Sequence, residues 1–215
     1  MSPSPTDGTD QRAELLQQRE LAVSREIAEA FLSASSPVGV YRLALARVTP
    51  LVEASFASIF IRDAADHDLL RLVCAQNWPQ ASARFLDRIR IRVGRGPTGR
   101  AVAETRAVEV EDVFGDPALE DWWEIARELG FVSLIALPLR GDEGVPGALT
   151  FYFRDPRTFS DGERGVLERI AGQLARMVER ADLIDDLRDS NERLRQRNRE
   201  LERQIRSGAA GGGAS

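Results

Sequence analysis

A short unit of alternating side chains, glycines and helix formers constrains the fold of this chain most strongly. Residues 88–93 alternate charged and apolar side chains, as a half-buried β-strand requires. A turn containing Gly94, Gly96 and Gly99 follows, and residues 100–105 then permit a short helix. Residues 107–111 alternate again. The unit therefore predicts a strand, a glycine turn, a brief helix and a second strand in close succession.

The glycine spacing admits three interpretations. It matches the G-x-G-x-x-G pattern of dinucleotide sites, with Asp112 placed as a ribose-binding acid. However, arginine stands at every second position of the preceding strand, whereas the first strand of such a sheet is continuously apolar. A Walker phosphate loop needs Gly-Lys-Ser/Thr, and here Gly99 is followed by Arg100. We therefore favour a structural role, in which glycine permits positive φ and close backbone approach.

The flanking segments predict an α+β domain. A helix is expected over 38–53, strands over 55–62 and 69–77, a short helix over 122–129, and a hairpin of 132–140 with 145–154. Ser160 and Glu163 have the spacing of a capping box at the start of the last helix. The predicted fold is a mostly antiparallel central sheet with flanking helices, plus long N- and C-terminal helices.

Three stretches resemble successive parts of one family. Residues 89–112, with Asp116 and Pro117 just beyond, resemble the middle of a GAF domain, the small sensor module of signalling proteins. Residues 134–159 and 160–175 resemble its last hairpin and closing helix. The resemblance implies a ligand cavity between the sheet and the helix around Trp122. Candidate ligand-binding residues are Trp78, Asp112, Phe114, Asp116, Trp122 and Trp123. The aromatic members are equally consistent with an ordinary hydrophobic core.

The C-terminal helix carries a seven-residue repeat. With leucines at heptad position d, isoleucine occupies the outer a positions and asparagine the two inner ones. Leucine at d with isoleucine at a favours a parallel dimer, and asparagine at a selects two strands at some cost in stability. We expect a homodimeric parallel coiled coil whose interface comprises Ile184, Leu187, Asn191, Leu194, Asn198, Leu201 and Ile205.

These patterns divide the chain into five segments. We expect a disordered tail at 1–10, a helix at 11–36, the GAF-like domain at 37–178, the coiled coil at 179–206 and a flexible tail at 207–215. The last segment is rich in glycine, alanine and serine, which is typical of linkers.

The composition of the chain argues against several kinds of catalytic and metal site. The chain has no lysine, which excludes a Schiff-base lysine, and its single cysteine and single histidine cannot build a structural zinc site. We expect Cys74 to be a buried, inert thiol and His67 to belong to a polar turn. The family resemblance implies three specialised activities, each with its own pattern. Free methionine sulfoxide reductases have a redox site of several cysteines, and bilin-binding members attach the pigment through a cysteine that is usually followed by histidine. Cyclic-nucleotide-binding members carry an Asn-Lys-Phe-Asp-Glu set. The chain departs from all three patterns.

The sequence therefore predicts a non-catalytic, cytoplasmic sensor module. It would bind a small molecule or a downstream signalling protein and transmit the change through the dimeric coiled coil. No cofactor is identified, and a net charge of −5 gives no general attraction to nucleic acid or membrane. The alternative is a ligand-free dimeric adaptor that serves as a docking surface.

Overall fold

The computed structural model describes residues 18, 25, 29, 37–79, 86 and 88–211. The predicted tail at 1–10, and all but three positions of the predicted helix at 11–36, lie outside this part of the chain. The described residues belong to two units, one ending at Val178 and the other beginning at Glu179.

The first unit is built on one six-stranded sheet. Its strands are β1 (Phe56–Arg62), β2 (Leu69–Gln76), β3 (Arg90–Arg92), β4 (Val108–Val110), β5 (Ser133–Leu139) and β6 (Gly147–Phe153). They lie in the order β3-β2-β1-β6-β5-β4, and every neighbouring pair is antiparallel. The central strands β1, β5 and β6 are almost wholly buried, which shows that helices cover both faces of the sheet. The mostly antiparallel α+β prediction is confirmed.

One face of the sheet is covered by α1 (Pro37–Leu51) and the first turns of α4 (Asp161–Gly211). Apolar residues recur along both helices at helical spacing and meet alternate residues of β1, β5 and β6 in one core. Phe151, Ile135 and Leu167 are among its fully buried members. This face is a conventional packed core.

The opposite face carries α2 (Gly96–Glu104) and α3 (Glu120–Leu129), the latter preceded by a 3-10 turn at Pro117–Leu119. The helix predicted to begin near residue 100 thus begins four residues earlier. Pro97 stands in its first turn, where proline's fixed φ suits a helix and its missing N–H costs nothing. As predicted, α3 ends at Gly130, which has a φ of 73°.

The predicted capping box at the start of α4 is confirmed. Glu163 N–H donates to Ser160 Oγ at 3.2 Å, and Ser160 N–H donates to Glu163 Oε2 at 3.0 Å. The helix continues to Gly211, beyond the end expected near residue 206, and so includes the first five residues of the predicted flexible tail. Asn191, Leu194 and Asn198 are exposed in the single chain, while the side chains of Ile184, Leu187, Leu201 and Ile205 lie outside the description. Among the described residues, no helix is long and apolar enough to cross a membrane.

Candidate ligand site between the sheet and two short helices

An apolar cavity lies between the sheet and the pair α2 and α3. Trp78 stands at one side of it, with its indole N–H donating to the Ala57 carbonyl at 3.0 Å. The Tyr152 ring meets Trp78 edge-on at 5.5 Å and Phe131 at 4.9 Å between ring centroids. The lining residues are Trp78, Ile89, Ile91, Pro97, Thr98, Val113, Leu119, Trp122, Ile125, Phe131, Leu134 and Tyr152.

Four buried hydroxyl groups meet at the sheet side of this cavity. The β1–β6 register places Ser58 opposite Thr150. Tyr152 Oη lies 3.1 Å from Ser58 Oγ, and Thr98 Oγ1 lies 3.1 Å from Thr150 Oγ1. Burial raises the pKa of the Tyr152 phenol, although hydrogen bonds from the neighbouring hydroxyls partly oppose this shift. The phenol is therefore neutral at physiological pH and can both donate and accept.

The cavity has little free room. A water-sized sphere can move through only about 30 Å³ of it. Pockets that hold drug-sized ligands measure roughly 300–1,000 Å³. In this conformation the aromatic side chains fill most of the space, so the cavity can hold about one water molecule.

A larger open groove of about 610 Å³ lies beside the cavity. Its charged lining residues are four arginines, Arg90, Arg92, Arg95 and Arg100, and one acidic residue, Asp121. The cavity and the groove share four apolar residues, namely Ile89, Ile91, Trp122 and Ile125. A basic groove is thus separated from the hydroxyl cluster by a thin apolar wall.

The glycine turn brings these parts together. Gly96 has a φ of 60°, and a Cβ there would lie 3.0 Å from the indole of Trp122. At Gly99 a Cβ would collide with the carbonyl oxygen of Arg92, so α2 approaches the end of β3 as only glycine permits. This geometry confirms the structural role predicted for the glycine spacing.

The six predicted ligand-binding residues occupy different surroundings. Trp78 and Trp122 line the cavity. The Asp112 and Asp116 carboxylates each accept a backbone N–H two residues ahead, at 2.9 Å, and thereby hold turns. Phe114 and Trp123 lie against the Arg127 guanidinium, and the Trp123 indole N–H donates to the Val113 carbonyl at 2.7 Å. Only the two tryptophans of the set face the enclosed space.

Sequence reasoning missed the hydroxyl cluster. Its signal was present, because Ser58 and Thr150 are polar residues inside strands that are otherwise apolar. A buried polar side chain in such a strand needs a partner, and that requirement points to a second hydroxyl nearby. Tyr152 lies two residues after Thr150 on β6 and so shares its face, whereas Thr98 could not be added without knowing how α2 lies on the sheet.

The surroundings of Cys74 and His67 are those of structural residues. Cys74 is buried, and burial raises the pKa of its thiol despite the nearby Arg42. His67 lies in a turn in which the Asp63 and Asp66 carboxylates accept hydrogen bonds from the backbone N–H groups of Ala65 and Asp68. This confirms the predicted polar turn. No group of three metal-ligating side chains occurs among the residues that the structure describes.

Comparison with known proteins identifies the family. The family model for the GAF domain matches residues 34–179, which is more than half of the chain. The chain belongs to the GAF domain family. The recognition drawn from residues 89–175 is therefore confirmed.

Solved GAF structures have the same fold at low sequence identity. The GAF domain of a phosphoenolpyruvate-protein phosphotransferase from Coxiella burnetii superposes with a TM-score of 0.66 at 19% identity, covering 79% of this chain and 98% of that one. Free methionine-R-sulfoxide reductase from Neisseria meningitidis, solved with its substrate, gives 0.64 at 22%, covering 86% and 96%. The same fold thus occurs in a domain of a phosphotransferase and in a reductase.

One curated protein is similar in sequence. It is a methyl sulfide methyltransferase-associated sensor from Methanosarcina acetivorans, 26% identical over 118 residues. The match covers 54% of this chain and 12% of that sensor. The chain therefore spans about an eighth of the length of the sensor that it matches.

Proposed function

We propose that this chain is a non-catalytic sensor module of signal transduction. Its GAF domain binds a small molecule or a protein partner at the cavity and groove. A parallel homodimeric coiled coil formed by the C-terminal part of α4 passes the change on. The GAF fold and the similarity to a curated sensor support the signalling role.

The observation that carries the proposal is the composition of α4. The same helix contributes fully buried residues to the domain core, such as Ile170 and Leu174, and then carries the heptad. Within the heptad, Leu194 occupies position d of the predicted seam and is 61% exposed in the single chain. A second copy of the helix would cover it.

Two features of the described residues support a non-catalytic role. The described residues offer one buried cysteine of raised thiol pKa and no metal-ligating cluster. A reactive cysteine instead needs a lowered pKa and access to substrate. This distinguishes the expected behaviour of the chain from that of its enzymatic structural relatives.

A second candidate function rests on the small size of the cavity. Room for about one water is far below the roughly 300–1,000 Å³ of pockets that hold drug-sized ligands. In that case the chain is a dimeric adaptor, and its partner docks on the domain surface.

The dimer is tested with substitutions at the two inner a positions. Asn191→Ile combined with Asn198→Ile should tighten association and allow assemblies larger than a dimer, because the buried asparagines select two strands at a cost in stability. Gln196→Ile adds the same apolar group at position f, outside the seam, and is the matched control. Sedimentation equilibrium of the full chain measures all three. A monomeric wild-type protein, or equal effects of the control and the double variant, would refute the proposed interface.

A further inference from the structure

Trp122 is the one tryptophan of the domain whose indole is not fixed by a described hydrogen bond. The indole N–H groups of Trp78 and Trp123 donate to backbone carbonyls, at 3.0 Å and 2.7 Å. The Trp122 indole makes no hydrogen bond to any residue within the described ranges, and it lies on the bare backbone of Gly96. The side chain is half-buried. Its position is therefore set by packing alone.

Trp122 is also the largest group in the wall between the cavity and the groove. The other three wall residues are isoleucines, Ile89, Ile91 and Ile125. A rotation of the Trp122 side chain would remove the largest of the four shared side chains and would join the two spaces. The joined pocket would be far larger than the cavity alone, because the groove contributes about 610 Å³.

The joined pocket has three chemical zones. At its deep end lie the hydroxyl groups of Thr98 and Tyr152, backed by Ser58 and Thr150. Apolar and aromatic side chains form the middle. Arginines form the mouth. Such a sequence of zones suits a ligand with a hydrogen-bonding group at one end, a flat apolar body and a charged group at the other end.

The mouth is positive although the chain as a whole has a net charge of −5. Four arginines border it against one aspartate. Three of the four have acidic neighbours: Arg90 lies 3.7 Å from Asp63, Arg95 lies 3.8 Å from Asp121 and Arg100 lies 2.8 Å from Glu104.

The fourth arginine of the groove, Arg92, has no acidic neighbour within ion-pair distance in the part of the chain that the structure describes. It is exposed. Helix α2 begins beside it, and the N-cap residue Arg95 provides no side-chain cap. The positive N-terminal end of the α2 dipole adds to the charge of the groove. An uncompensated guanidinium at a helix start favours an anionic oxygen group.

We propose that the ligand of this GAF domain is an organic anion with a flat apolar body and a terminal carboxylate or phosphate. Its body takes the place of the Trp122 indole, its anionic group meets Arg92 and Arg95, and its other end bonds to the Thr98 hydroxyl. This proposal rests on the sensor function proposed above and names the ligand class for that site.

Matched pairs of small molecules test the class and separate its two sources. The aromatic carboxylate pair is indole-3-propionate with its neutral amide, and the phosphate pair is adenosine monophosphate with adenosine. Isothermal titration of the full chain at low ionic strength measures each Kd. We expect at least one anion to bind at least about tenfold more tightly than its neutral partner, and the affinity of that anion to fall as salt is added. Which pair responds identifies the source of the anionic group.

Variants then test the three zones. Arg92→Ala combined with Arg95→Ala should abolish the preference for the anion over its neutral partner. Arg42→Ala, an exposed arginine on α1 at the opposite face of the sheet, should leave it unchanged. Thr98→Val removes one hydroxyl at the deep end and keeps the side chain nearly the same shape. It should weaken binding of the anion and of the neutral compound by the same factor. Trp122→Ala should strengthen binding of both, because the wall is then open.

The outcomes distinguish the two proposals. A neutral compound that binds as well as its anion refutes the anionic class but leaves the sensor in place. Binding of no compound to either the wild type or Trp122→Ala refutes the joined pocket, and with a dimer still present it favours the adaptor. An anion preference that survives loss of both arginines refutes the groove as its source.

Discussion

A buried ion pair connects the end of α1 to the start of α4, and its removal offers a sharp test of how that junction is held. Glu163 is only 1% exposed, and its carboxylate accepts from Arg157 Nη2 at 3.2 Å as well as from Ser160. Arg157 Nη1 also donates to the Val52 carbonyl at 2.7 Å. Its guanidinium lies 4.6 Å from the Phe153 ring centroid. One arginine therefore contacts the carbonyl after α1, the last strand and the first turn of α4.

Glu163→Gln keeps the size of the side chain and removes its charge. Breaking one side of a buried pair costs about 3–5 kcal/mol, because the remaining charge stays buried without a counter-ion. The glutamine carbonyl can still accept one hydrogen bond, and Arg157 keeps a second, more exposed carboxylate, that of Glu53, 4.0 Å from its Nη1, so we expect a smaller loss of about 2–3 kcal/mol in the free energy of unfolding. For a domain of this size that corresponds to a fall in Tm of roughly 4–12 °C.

A double-mutant cycle isolates the interaction. Arg157→Met should also destabilise, but the combined variant should cost at least about 1 kcal/mol less than the sum of the single changes, because neither charge is left alone. Urea denaturation at one fixed protein concentration measures the cycle. Glu168→Gln, an exposed acid on the same helix, is the control and should change stability by less than about 0.5 kcal/mol. Additive effects, or a harmless Glu163→Gln, would show that the pair does not hold the junction.

Two further predictions concern the turn and the thiol. Gly99→Ala should destabilise the domain by about 1–3 kcal/mol, since its Cβ would collide with the Arg92 carbonyl oxygen, whereas Gly165→Ala, inside α4 with only the Arg169 side chain nearby, should stabilise by about 0.5–1 kcal/mol. Opposite signs in thermal denaturation would confirm the close approach, and equal effects would contradict it. Burial raises the pKa of Cys74 above its ordinary value of 9.0, so the native thiol keeps its proton at a pH where the unfolded thiol loses it. The free energy of unfolding should therefore fall as pH rises above about 9, by up to about 1.4 kcal/mol per pH unit. The chain has no lysine, but the buried Tyr152 phenol acts in the same direction above about pH 10, so the slope is measured between about pH 9 and 10, where Cys74→Ala should flatten it.

Local signals in the sequence were sufficient for most elements of the fold. Alternation predicted the strands, and Ser160 with Glu163 located the start of α4 to the residue. Boundaries were less certain where two signals competed. At α2 the glycines suggested a turn, but Pro97 starts a helix there because its fixed φ is already helical.

The candidate site was only partly predictable, because it depends on contacts between distant segments. Trp78 and Trp122 were recognisable as large aromatics in irregular stretches, and both line the cavity. Asp112 and Asp116 looked the same as binding residues in the sequence, yet they hold local turns. The basic groove was not foreseen, since arginines 90 and 92 read as the exposed side of a strand until α2 and α3 are placed beside it.

Native mass spectrometry of the freshly purified full chain tests the central claim most directly. Gentle ionisation weighs the oligomer with any retained small molecule, and a second spectrum after denaturation gives the bare chain of 23.8 kDa. The sensor account predicts a dimer that carries a removable organic anion, released on denaturation. A monomer at micromolar concentration would contradict the proposed transmission through α4, and an empty dimer that also takes up neither added anion would contradict the sensor in favour of the adaptor.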